Sequence, residues 1–389
     1  SKGITRGFDL DLNPVEPPSV PLEKWALDLE MMAGDTMPEA EKDPITCFSF
    51  TDGQVTVSGI LDDIDLVTQE ENWVIRHFDE EKKLLEFLLG LIEEQSPDLL
   101  CFWNAPFDLE YLEKRASIHG LRLNLGATCT FDLLVAMRKL YRRRSYRLKD
   151  IALEEGFTDT LEDKANYAAL WETNKAALLE RNKRHAQWTY QIDEKLKITD
   201  YFAELTGLAG LEGPEDAIHN SVVIETMLLR RAKGALPTKV EHEHQAFEGG
   251  LVLTPPVGVL HNVAVLDMSR FYPSVLLSEK LDPIIYHQFS QRFPGADWSS
   301  YKEFSLGYTG ESLFLSFVQE MIAERLKLEK SEHRTKLASV KGLLNSCYGV
   351  LAHPGFRLYV PDIPARVTEV ARQIISEMAA EVKQFGYTV

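Results

Sequence analysis

Between residues 24 and 120 the apolar pattern changes period several times, and the order of those changes restricts the fold more than any other feature. "EKWALDLEMM" sets Trp25, Leu27 and Leu29 on one side of an extended segment, alternating with small or polar residues, which predicts a strand. "CFSFTDGQVTVSGIL" follows, with Asp52-Gly53 placed to turn a hairpin. "EKKLLEFLLGLIEEQ" has a helical period, "SPDLLCFW" reads as a short buried strand, and "DLEYLEKRASIHG" reads as a helix that stops at Gly120. Strands first, then helix and strand in alternation, predict a mixed α/β domain up to about residue 235.

A break follows at "KGALPTKVEHEHQAFEGGLVLTPPVG", rich in Gly, Pro and charge, and a second domain is expected beyond it. "NVAVLDMSRFYPSVLL" reads as a buried strand running into a turn. "LFLSFVQEMIAERLKLEKSEHRTKLASVKGLLNSCYG" reads as two long helices joined near Ser331 to Arg334. "IPARVTEVARQIISEMAAEVKQFG" predicts a further helix with the apolar stripe Val367, Val370, Ala371, Ile374, Ile375, Met378, Val382 and Phe385, capped at Gly386; "YTV" then starts a strand. The opening "SKGITRGFDLDLNPVEPPSVP" is polar and Pro-rich and reads as a tail.

Composition narrows the class. With 389 residues, 44% apolar and 26% charged, the chain suits a soluble protein of two or three domains. No apolar run reaches the roughly 18 residues of a membrane span, so no membrane partner is expected. Four scattered cysteines without a CxxC pair make disulfides and a zinc knuckle poor expectations, and a reducing, cytoplasmic location fits. A net charge of −18 argues by itself against nucleic acid as a partner. From Met321 to Val360, however, seven Lys/Arg face three carboxylates, which makes that segment a candidate anion site.

Four features could carry chemistry. Asp28 and Glu30 share one strand face; they suit a hard divalent cation, or are an exposed polar face. Asp108 opens a helix, where a capping or dipole role is the simpler reading. Asp267 ends the apolar run "NVAVLD" beside a turn stiffened by Pro273, a place that suits a metal ligand or a turn residue. Within "KGLLNSCYGVL", Lys341, Asn345 and Tyr348 fall within roughly 60° of one another on a helix: either a solvated face, or a cation, an amide and a ring aimed at one ligand.

Together these segments resemble family B DNA polymerases. "DMSRFYPS" is similar to motif A, D-x-x-S-L-Y-P-S; "KGLLNSCYG" matches every fixed position of motif B, K-x3-N-S-x-Y-G; "FEGG" resembles the Y-x-G-G signature. "ALDLE" and "NAPFDLEYL" resemble the first two proofreading exonuclease motifs. The resemblance implies a mixed α/β (α+β) fold. An N-terminal tail (1–20) would lead into an RNase H-like 3′–5′ exonuclease domain (21–235). A linker with the first part of the palm (236–310) would follow, then two fingers helices (311–358), and a palm helix with the start of the motif C strand (359–389). It implies primer-template DNA and dNTP as ligands and Mg²⁺ or Mn²⁺ as cofactor. Asp28, Glu30 and Asp108 would hold metal in the exonuclease and Asp267 in the polymerase. Arg325 and Lys341 would bind the triphosphate, Asn345 and Tyr348 the nucleotide and nascent pair, Tyr272 would act as steric gate, and Gly249 and Gly250 would meet DNA.

The chain departs from the pattern in five places. Arg270 and Phe271 replace Ser and Leu in motif A. Glu329 stands where the fingers helix usually carries a second Lys. The second exonuclease motif is one residue short between Asn104 and Phe107. The third, Y-x3-D, finds its nearest match in "IHNSVVIETMLL", with His219 and Val223 in register and Glu225 out of it. Motif C, Y-x-D-T-D, is not in the sequence. The expectation is therefore a polymerase that needs a second polypeptide carrying motif C and a thumb, with weak exonuclease. A non-catalytic nucleic-acid-binding or scaffold subunit is the alternative, and a stand-alone nuclease ranks behind it.

Overall fold

The computed structural model describes residues 7–8, 14–15, 21–32, 37–62, 70–158, 167–234, 236–240, 242–254, 257–310 and 312–389. The expected tail over 1–20 lies outside them, except for β1 (Gly7–Phe8) and β2 (Pro14–Val15), which pair antiparallel. Two compact units form: Ser1–Ala203 with Glu212–Ile218, and Glu204–Leu211 with His219–Val389.

The first unit holds β3 (Lys24–Met31), β4 (Ile45–Thr51), β5 (Thr56–Ile60), β6 (Trp73–His77), α1 (Glu81–Gln95), β7 (Leu99–Phe102), α2 (Ala105–Ile118) and β8 (Cys129–Asp132). Then come α3 (Leu133–Leu140), α4 (Leu148–Glu154), α5 (Tyr167–Thr173), α6 (Lys175–Leu196) and α7 (Ile198–Ala209), whose last residues belong to the second unit. The six-stranded sheet runs β6-β5-β4-β3-β7-β8. β3, β4 and β5 are antiparallel neighbours; β7 runs parallel to β3, and β8 to β7. The β4–β5 hairpin turns at Gly53, whose φ of +85° favours a residue without Cβ, and Asp52 Oδ1 accepts the Gln54 and Val55 amides.

Both faces of β3 are covered, and that decides its chemistry. Trp25, Leu27, Leu29 and Met31 join Phe48 and Phe50 against Leu84, Leu85, Leu88, Leu89 and Ile92 of α1. The Trp25 ring stacks on Phe50 at 4.3 Å. The opposite face, which carries Asp28 and Glu30, lies under α6. α6 begins at Asn174, whose side chain accepts the Ala177 amide, and it buries Leu178, Leu179 and Ala186 completely. Near its other end Asp193 Oδ2 accepts a hydrogen bond of 2.8 Å from the buried Lys24 Nζ, which ties the helix to the first residue of β3.

Among its described residues the second unit is helical: α8 (Asn220–Arg231), α9 (Phe271–Ser278), α10 (Pro283–Arg292), α11 (Trp298–Gly307), α12 (Leu313–Leu328), α13 (Arg334–Val350) and α14 (Asp362–Gln384). α12 and α13 are the two long helices expected around Ser331–Arg334. Phe314, Phe317 and Val318 of α12 and Val340, Leu343, Leu344 and Cys347 of α13 are fully buried. One carboxylate organises two helix starts here. Asp282 Oδ1 accepts the Ile284 and Ile285 amides of α10, while Oδ2 accepts the Phe314 and Leu315 amides of α12 and the Ser312 hydroxyl. Each lost cap costs about 1–2 kcal/mol, so Asp282→Ala is expected to destabilise this unit by roughly 2–4 kcal/mol. Urea unfolding checks it, and a loss below about 0.5 kcal/mol would show that the caps are replaceable.

Two expectations are corrected in this unit. "NVAVLD" is not a buried strand: residues 263–268 have no regular structure, and Val263, Val265 and Leu266 are 63%, 86% and 75% exposed. A strand is held by neighbours that take its N–H and C=O groups, and no described strand pairs with this one. The same holds for "YTV" at 387–389. The apolar stripe of α14 is buried only in its first half, at Val367 and Ala371, whereas Met378 and Phe385 are exposed.

Candidate functional site

Alternation along β3 puts Asp28 and Glu30 side by side on the face that meets α6. Three α6 side chains meet them. Asn182 Nδ2 donates to Asp28 Oδ2 at 2.7 Å and to the Asp28 carbonyl at 3.1 Å. Arg181 Nη2 donates to Glu30 Oε1 at 3.3 Å. His185 Nδ1 lies 3.6 Å from Asp28 Oδ2 and 3.9 Å from Glu30 Oε1. Burial, and next the Asp28 charge, push the Glu30 carboxyl up to about 7, against the pull of Arg181 and His185.

Asp108 sits in the first turn of α2, after the N-cap Asn104, so it does not cap the helix. Burial first, then the charges of Asp28, Glu30 and Asp132, raise its carboxyl well above the usual range. The three expected carboxylates are thus close enough to interact. The tight group of potential ligands, however, is Asp28, Glu30 and His185, with ligand atoms within 4.8 Å of one another. Sequence reading passed over Arg181, Asn182, His185 and Asp132. Asp132 caps α3 through Oδ1, accepting the Val135 amide, and its Oδ2 is buried without a hydrogen-bond partner.

The third exonuclease motif is also corrected. His219 precedes α8 without a side-chain cap, Val223 is buried, and Glu225 is engaged by Arg357 at 3.0 Å and Lys239 at 3.6 Å, all within the second unit. In the first unit the helix that reaches Asp28 and Glu30 is α6, and the pair it turns toward them at four-residue spacing is Arg181-x3-His185. No acid comes from α6 at this position. The signal available in the sequence was the Asn174-capped helical period of 175–196, which carries no recognisable motif.

In the second unit, α13 presents Lys341 and Asn345 on its exposed face, and neither forms a hydrogen bond or ion pair with a described residue. Tyr348, one turn on, is half-buried, with its ring edge-to-face on Tyr272 at 4.4 Å. Tyr272 stands in the first turn of α9 beside Phe271. Arg270 turns the extended 263–268 segment into α9 in the left-handed conformation, φ +56°. Gly250 approaches this aromatic pair, since a Cβ there would come 2.8 Å from Tyr272 Oη; Gly249 has no such neighbour. Arg325 is not free, because its Nε donates to Glu329 Oε1 at 2.9 Å. The carboxylate found in place of a second cation therefore pairs with the first one. Asp267 is exposed, and no described carboxylate groups with it to form a cluster of three ligands.

Residues 9–129 match the family model for the exonuclease domain of DNA polymerase family B. DNA polymerase 1 of Pyrococcus abyssi is 26% identical over 439 residues, covering 98% of this chain and 54% of that protein. The DNA polymerase of Archaeoglobus fulgidus is 25% identical, covering 95% and 49%. The structure of the family B DNA polymerase from Pyrobaculum calidifontis superposes with a TM-score of 0.71 at 18% identity, over 96% of this chain and 52% of that one. The resemblance to family B DNA polymerases therefore holds. The mixed sheet of the first unit fits an RNase H-like exonuclease fold and carries an acidic cluster. The chain spans about half the length of the curated relatives it matches. Among the described residues, no helix is long and apolar enough to cross a membrane.

Proposed function

We propose that the second unit supplies the nucleotide-facing helix and one metal-binding carboxylate of a template-directed DNA polymerase, which a motif C segment and a thumb complete. The observation that carries this reading is the α13 row: a cation and an amide on the exposed face, without partners among the described residues, followed by a ring held against Tyr272. In use, Lys341 donates to triphosphate oxygens of the dNTP, with Arg325 joining once it leaves Glu329. Asn345 contacts the nucleotide, Tyr348 packs near the nascent pair, and Tyr272 fills the space a ribose 2′-hydroxyl would need. Gly249 and Gly250 let backbone approach the primer-template. Asp267 provides one carboxylate for the Mg²⁺ or Mn²⁺ pair that, when bound, lowers the pKa of the primer 3′-hydroxyl and screens phosphate charge. The second carboxylate comes with motif C.

The exposed apolar side chains Val252, Val257, Val259, Val263, Val265 and Leu266 suit a surface that further polymerase elements cover. The test is primer extension in Mg²⁺. The purified chain alone is expected to extend nothing, and a chain with a Y-x-D-T-D segment and thumb is expected to restore synthesis. Robust extension by these 389 residues alone would refute the need for motif C and a thumb. Tight DNA binding with no synthesis under any reconstitution would favour the scaffold alternative.

A further inference from the structure

An exonuclease of this fold implies a divalent metal pair at Asp28, Glu30 and Asp108, and the residues present do not fit one. We propose that Arg181 and His185 act as built-in counter-cations for Asp28 and Glu30, closing the site to divalent metal, so that the first unit does not hydrolyse DNA. The inference stands on the first unit and is independent of how the polymerase is completed.

The α6 nitrogens already hold the carboxylate oxygens that metal ions would need. Asn182 Nδ2 holds Asp28 Oδ2 at 2.7 Å, Arg181 Nη2 holds Glu30 Oε1 at 3.3 Å, and the His185 ring lies within 3.9 Å of both carboxylates. The helix is not placed to swing aside. Leu178, Leu179, Asn182 and Ala186 on its inner face are fully buried, and Asp193 is bound to Lys24 near its far end. The charge balance points the same way. Arg181, with His185 when it is protonated, offsets the negative charge of Asp28 and Glu30 that would otherwise draw divalent ions into this half-buried site. The α6 side chains that meet Asp28 and Glu30 are Arg181, Asn182 and His185, and none of them is an acid.

The test compares the full chain with its Asp28→Asn variant by Mn²⁺ titration, read by electron paramagnetic resonance, and by thermal unfolding in EDTA. Both are expected to bind the same number of Mn²⁺ ions; Glu30→Gln, which removes the carboxylate bound by Arg181, and Asp28→Asn, which removes the carboxylate facing the His185 ring, are expected to lower the unfolding temperature. Arg181→Ala/His185→Ala is expected to gain an Mn²⁺ ion that Asp28→Asn removes again. Neither the chain nor Asp28→Asn is expected to degrade single-stranded DNA in Mg²⁺ or Mn²⁺. An Asp28-dependent Mn²⁺ ion in the unaltered chain overturns the proposal. So does a rise in unfolding temperature for Asp28→Asn in EDTA, the sign of two carboxylates that merely repel. If the double variant does not fold, the comparison of the chain with Asp28→Asn decides alone.

Discussion

Asp267→Asn is expected to abolish synthesis by the reconstituted polymerase while leaving DNA affinity nearly unchanged. The substitution keeps the shape of the side chain and removes its charge. Asp267 is exposed, and changes at such positions shift stability by about 0.5 kcal/mol or less, so a large effect has to come from chemistry. A metal ion at a phosphoryl group contributes several kcal/mol to the barrier, on the order of a thousandfold in rate. Loss of one of two supporting carboxylates forfeits most of that. Single-turnover incorporation in Mg²⁺ measures the rate, and a binding titration on primer-template DNA measures affinity. A rate within a few fold of the unaltered protein would mean that Asp267 is a turn residue and that motif A is misread.

Lys341→Ala should follow, weakening nucleotide use far more than template binding. A charge-assisted hydrogen bond to phosphate is worth roughly 1.5–3 kcal/mol, or about 10- to 150-fold. Part of the loss should appear in the maximal rate, since phosphate charge redistributes as the transition state forms. Lys341→Arg keeps the cation in an altered geometry and should be milder. Arg325 does not cover for the loss while Glu329 holds it. Incorporation measured against dNTP concentration separates rate from affinity. Identical kinetics for the three versions would reduce Lys341, Asn345 and Tyr348 to a solvated helix face.

Local periodicity carried much of the fold. Trp25, Leu27 and Leu29 announced β3, and the helical periods of 81–95 and 334–350 announced α1 and α13. Asp28 and Glu30 were visible as a pair for the same reason: alternation is a property of neighbouring residues. Arg181 and His185 were not visible, because their meaning depends on α6 crossing β3 about 150 positions along the chain, and a lone Arg and His on a polar helix are ordinary. The misreading at "NVAVLD" has the opposite cause. Its composition suits a strand, but a strand exists only with partners, and a run of apolar residues says nothing about whether the same chain provides them. The register of the third exonuclease motif failed because a four-residue spacing recurs by chance on any helix.

The bare valines between 252 and 265 also govern how copies of the chain behave toward one another. Apolar and exposed, these side chains invite contact between molecules in concentrated solution. What opposes it is the net charge of −18, which makes copies repel at long range. That repulsion is screened over about 10 Å at 0.1 M salt and about 3 Å at 1 M, while salting-out anions strengthen apolar contact. High salt, the usual means of stripping nucleic acid from a polymerase, therefore removes the force that keeps this chain dispersed. Dilute buffer keeps its molecules apart.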